Sequence, residues 1–124
     1  MITYNFKDGN GLVLAHQHIN PDGSVGGWVA DTAQVAATAY IGPDAVVFGN
    51  AQVYGHALVS ENAQVSGDAL VCGFALVYGH AQVSGDARVS GDALVCGSAL
   101  VYGSAQVFGD AQVSGDAQVC GSDP

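Results

Sequence analysis

From Ala33 to Val119 the motif Ala-x-Val returns every six residues without a slip. All fifteen leading positions, Ala33 to Ala117, are Ala; two residues on, fourteen are Val and one is Ile41. Two further, twelve of fifteen are Gly, with Ala37, Pro43 and Glu61 as the exceptions. A period of six fits no amphipathic helix, whose apolar positions recur at three and four. In an extended Ala-x-Val, the first and third side chains share one face and x points away. Gly followed by Asp, Asn, His or Ser then supplies a bend, because Gly tolerates positive φ and Asx side chains close their own turn. Each hexad reads as a short strand plus a corner. One such strand cannot bury its apolar face alone, whereas stacked coils can.

The segment Val65-Ser66-Gly67-Asp68-Ala69, repeated at 83–87 and 113–117, resembles the hexapeptide repeats of left-handed parallel β-helix proteins, the fold of hexapeptide acyltransferases. The dense Ala-x-Val-x-Gly-Asp/Asn form behind Gly26-Gly27-Trp28-Val29 is similar to hexapeptide-repeat proteins of phages, prophages and bacteria. That resemblance implies an all-β, single-stranded left-handed parallel β-helix, a triangular solenoid with three hexads per 18-residue coil. Fifteen hexads then make five coils, a rod of roughly 24 Å at strand spacing. The expected division is an N-terminal capping segment over residues 1–32 and a β-solenoid over 33–124.

A second period complicates the first. Residues 53–76, 77–100 and 101–124 are three copies of a 24-residue unit. Twenty-four is four hexads, so in a three-hexad coil each copy begins one face further round. A four-hexad coil would instead stack Tyr54 on Tyr78 and Tyr102.

The ends break the pattern. Tyr4, Phe6, Leu12, Leu14 and Trp28, with turn signals at Asp8-Gly9, Asn20-Pro21-Asp22-Gly23 and Gly26-Gly27, suggest one or two short strands over the first coil's open end. A partner-binding role for this segment is the alternative. At the other end, Asp123 and Pro124 are placed to blunt an edge that otherwise invites pairing.

Charge narrows the partners. Two Lys+Arg against 11 Asp+Glu give a formal charge of −9, so no basic patch serves nucleic acid or an anionic membrane. The start of the chain lacks a basic-then-apolar leader, so a cytoplasmic location is expected, and the resemblance to phage and prophage proteins implies a virion-associated one as the alternative. Cys72, Cys96 and Cys120 cannot all pair within one chain, and their even spacing reads as repeat inheritance, with thiols in a reducing compartment.

Candidate chemistry is sparse, and no catalytic residue and no cofactor are expected. His16 and His18 alternate on a strand, and His56 and His80 occupy corner positions; these four are the candidate metal ligands. The γ-class carbonic anhydrases, which share the resembled fold, use three His across subunit boundaries. Here the two repeat-region histidines are 24 residues apart, and a catalytic zinc needs three protein ligands plus an open position. Hexapeptide acyltransferases place a catalytic His beside an extruded loop, and no insertion interrupts residues 33–121. Asp68 above Asp86, and Asp92 above Asp110, read as solvated turn formers rather than a Ca²⁺ ladder.

Folded at 18, the outward positions of one face are Tyr40, Leu58, Leu76 and Leu94, then Gln112. Four apolar rungs in a row usually mark an interface. Because the resembled family commonly forms trimers, a homotrimer through this face is expected. The sequence reads as a non-enzymatic structural or protein-binding module. A trimeric acyltransferase-like enzyme and a γ-carbonic-anhydrase-like hydratase are the alternatives.

Overall fold

The computed structural model describes residues 2–6, 9 and 11–121. Asp8 of the expected Asp8-Gly9 turn, and Asp123 and Pro124 at the end, lie outside them. Three longer strands open the chain: β1 (Thr3–Asn5), β2 (Leu12–Ile19) and β3 (Val25–Ala30). Short ones follow at six-residue steps: β4 (Gln34–Val35), β5 (Tyr40–Ile41), β6 (Val46–Val47), β7 (Gln52–Val53), β8 (Leu58–Val59), β9 (Gln64–Val65) and β10 (Leu70–Val71). The series continues with β11 (Leu76–Val77), β12 (Gln82–Val83), β13 (Arg88–Val89) and β14 (Leu94–Val95). It ends with β15 (Leu100–Gly103), β16 (Gln106–Val107), β17 (Gln112–Val113) and β18 (Gln118–Gly121).

These strands form three sheets. The first runs β1-β2-β3-β6-β9-β12-β15-β18, the second β4-β7-β10-β13-β16, the third β5-β8-β11-β14-β17. Every solenoid pairing is parallel at an 18-residue step, as in Leu58↔Leu76↔Leu94. Tyr54 therefore lies over the next coil's Val71-Cys72, its N–H donating to Val71 O at 3.0 Å. The stack of Tyr54 on Tyr78 does not form. Three hexads close a coil, and the chain makes about five.

Inside, the pattern does what strand alternation demands. Ile41 and every interior Val from Val47 to Val101 are fully buried, as is every interior Ala from Ala39 to Ala99. Three walls converge on this axis, and the small Ala side chain lets them approach closely. Corners need left-handed backbone: Gly85, at φ +66°, is representative, and a Cβ there would sit 2.9 Å from Gly103 N one coil on. Glu61 holds the same conformation at φ 56°. Its carboxylate accepts from the Gly79 N–H at 2.9 Å, a contact that offsets part of the strain.

The N-terminal segment holds three strands where one or two were expected, because β1 and β2 pair antiparallel and carry the first sheet upward. β3 is itself a rung of that sheet, with Trp28↔Val46 and Val29↔Val47. Val29 is fully buried in the solenoid core. At the position of the repeat Ala stands Gly27, where a Cβ would overlap the Ala45 carbonyl oxygen. On the outer side of this sheet β1 builds a second small core: Tyr4 stacks on Trp28 at 4.8 Å, and Phe6 on Phe48 at 5.0 Å. At the other end, Ala111 and Ala117 of the last coil are exposed.

Candidate functional site

Each expected candidate has a definite place on this scaffold. His16 and His18 do not act together, since a bulge between Gln17 and Ile19 breaks their alternation. His16 is exposed and its Nδ1 lies 2.7 Å from an Asp31 carboxylate oxygen. His18 is buried, and its Nε2 donates to Ala39 O at 2.8 Å. Two residues on, the Asn20 carboxamide accepts from Ile41 N–H at 2.8 Å and donates to Ile41 O at 3.0 Å. These two side chains supply the hydrogen bonds that a further strand would give β5.

A tight turn holds them there. Asn20 O accepts from Gly23 N–H at 2.8 Å, and Asn20 N–H donates to Ser24 O at 2.9 Å. The Ser24 hydroxyl and amide both donate to Asp22 and hold its carboxyl below the usual range.

His56 and His80 stand on different corner columns. His56 follows the second sheet and stacks on Phe74 one coil on, ring centroids 5.3 Å apart and 15° from parallel. His80 follows the third sheet, its N–H bonded to Gly97 O at 2.7 Å. Among the described residues no group of three or more His, Cys, Asp or Glu is arranged to hold a metal ion. Asp68 and Asp86 share one corner column and Asp92 and Asp110 another; the N–H groups of Asp68, Asp86 and Asp92 each donate to the Gly carbonyl of the next coil.

The 24-residue copies produce something the sequence reading passed over. In each copy Tyr and Cys are 18 residues apart, so the 18-residue coil sets them one above the other. Tyr102 and Cys120 are partners in register. Tyr54 and Tyr78 lie against Cys72 and Cys96, and the hydrogen bond to each thiol, reinforced by its charge when ionised, raises the phenol above its ordinary range. A raised folded-state value means that the contact helps below the unfolded value of 10.0 and fades as pH rises through the folded one. In a spectrophotometric titration, Cys72→Ala is expected to return the Tyr54 component to lower pH. An unchanged curve would show no coupling.

On the third sheet Tyr40, Leu58, Leu76 and Leu94 lie in register on adjacent strands, all half-buried. The first sheet's outward Trp28, Val46 and Phe48 are packed under β1. Of these two apolar outer surfaces, the described residues cover only the first sheet's.

Together the uninterrupted 18-residue coils, their parallel rung-to-rung pairing on three sheets and the thin Ala/Val core within them define a repeat β-helix protein of the parallel β-solenoid kind. The family model described as YdcK Beta solenoid repeat matches the chain at residues 51–67, 81–97, 87–103 and 105–121. No curated protein and no solved structure matches it.

Proposed function

We propose that the protein is a non-enzymatic structural or protein-binding module that works through its outer faces and assembles with copies of itself. The observation that carries this is the Tyr40–Leu58–Leu76–Leu94 ladder, apolar on four successive rungs with nothing among the described residues laid over it. An apolar strip of this length on a rigid sheet loses free energy in water and regains it against a matching surface. A closed homotrimer through this face satisfies every copy and leaves no open surface to propagate. The dense repeat and its Gly26-Gly27-Trp28-Val29 lead-in support a phage or prophage setting, in the cytoplasm or on the virion.

Self-association is tested by light scattering. Leu76→Asp places a charge at the centre of the ladder and is expected to convert the oligomer to monomer while circular dichroism stays unchanged. An oligomer of unaltered mass would remove the third sheet as the interface.

A further inference from the structure

At the N-terminal end the three sheets finish differently. The first continues past β3 into β2. On the third, Ala39 O, Ile41 N–H and Ile41 O are met by His18 and Asn20. The second ends at β4. There Gln34 and Ala36 send their N–H groups to Ala51 O and Val53 O on the next coil, at 2.9 and 2.8 Å. Strand geometry turns the Val35 N–H and C=O, with the Ala33 C=O, the opposite way. These three groups are the six-residue equivalents of those satisfied on β5. Among the described residues nothing meets them.

Side chains complete the slot. Val35 sits at an interior position yet is only half-buried, because no coil lies above it. His16 pairs with Val29, so Leu12, Leu14 and His16 share the side of β2 that faces the solenoid axis. Leu12 and Leu14 are 70% and 44% exposed. Asp31 N–H donates to Leu14 O at 2.9 Å, which sets this apolar wall over the corner entering β4. β4 also borders a cavity of about 310 Å³ lined by Gln34, Val35, Ala36, Gln52, Val53 and Tyr54.

The space is one strand wide. At its level β2 stands over the first sheet and residues 18–20 over the third, so the end coil of another solenoid cannot seat there. We infer that β4 is a docking edge for a single extended, basic peptide segment of a partner protein. The added strand continues the second sheet by main-chain hydrogen bonds and turns an aliphatic side chain onto Val35 and Leu14. The basic character follows from charge. Asp31, half exposed, stands at the corner entering the slot, on a chain with 11 Asp+Glu and 2 Lys+Arg. The inference extends the reading of the chain as a binding module but uses a different surface from the apolar ladder.

The test uses fluorescence anisotropy with a labelled Lys-Thr-Val-Thr-Val-Thr-Lys peptide on the full chain at low salt. Saturable binding is expected, with a midpoint on the order of 100 μM, weak because one short strand buries far less than about 1,200 Å². Val35→Pro removes the upward donor without touching a hydrogen bond of the fold, and is expected to weaken binding roughly tenfold. As a second arm independent of any variant's folding, a backbone N-methylated form of the peptide is expected not to bind. Glutamates in place of the terminal lysines are expected to weaken binding severalfold. No binding by the parent chain, equal binding by the N-methylated peptide, or equal binding by the glutamate form would overturn the assignment. Running the series on Leu76→Asp keeps this result separate from self-association.

Discussion

Gly27→Ala is expected to destabilise the chain by about 3 kcal/mol or more, by loss of the β3–β6 rung. The added methyl has nowhere to go. It would overlap the Ala45 carbonyl oxygen and crowd Gly42 O at 2.7 Å, both backbone atoms fixed in the coil beneath. Flexible side chains absorb such overlaps, whereas a backbone carbonyl in a sheet does not. Gly109→Ala is the matched control, because a Cβ there meets nothing within 4 Å and only its φ of +63° is unfavourable. That change is expected to destabilise by about 1–2 kcal/mol. Urea denaturation of the two variants measures the difference, and hydrogen exchange locates it: the Val47 amide, under Trp28-Val29 in the register, should exchange faster in Gly27→Ala alone. Equal losses would mean that the close approach of β3 to the coil beneath does not matter.

Asn20→Ala comes next, at about 2–4 kcal/mol. One side chain satisfies both main-chain groups of Ile41 and also donates to Ser24 Oγ at 3.1 Å. Truncation leaves a buried donor and acceptor without partners. Asn20→Asp sharpens the prediction. An ionised carboxylate accepts from Ile41 N–H as Asn does, but sets an oxygen against Ile41 O, where the fold needs a donor. Protonation restores a donor, so folding raises the pKa of this Asp. The stability of the variant should therefore be greatest below the unfolded carboxylate value and fall as pH rises through the folded one. Denaturation midpoints from pH 3 to 8 provide the check. A flat difference from the parent would show that the carboxamide does not substitute for a strand.

The hexad alone made the strand-and-corner alternation legible, including which side chains enter the core. It also made the Tyr40–Leu58–Leu76–Leu94 alignment legible once three hexads were assigned to a coil. Other features lay beyond it. Gly27-Trp28-Val29 follows the same x and inward positions as the repeat, but Gly in place of Ala hid the extra rung. The pairs Tyr54–Cys72 and Tyr78–Cys96 stand in the sequence as an 18-residue spacing inside each 24-residue copy, which becomes a contact once a coil takes three hexads. The separate duties of His16 and His18 had no local signal, because a bulge in β2 parts them.

By itself the sequence determined the local geometry: a period of six forces Ala and Val to one side and places a bend after each pair, whatever the coil above or below. Only the tertiary structure decided which rung meets which, how the first coil is closed and where, among the described residues, one sheet ends. Those outcomes depend on contacts 18 or more residues apart. The Asn20 carboxamide reaching Ile41, Gly27 seated on Ala45 and β1 laid over Trp28 are fixed by which segments come together in space, and a repeating hexad carries no record of that.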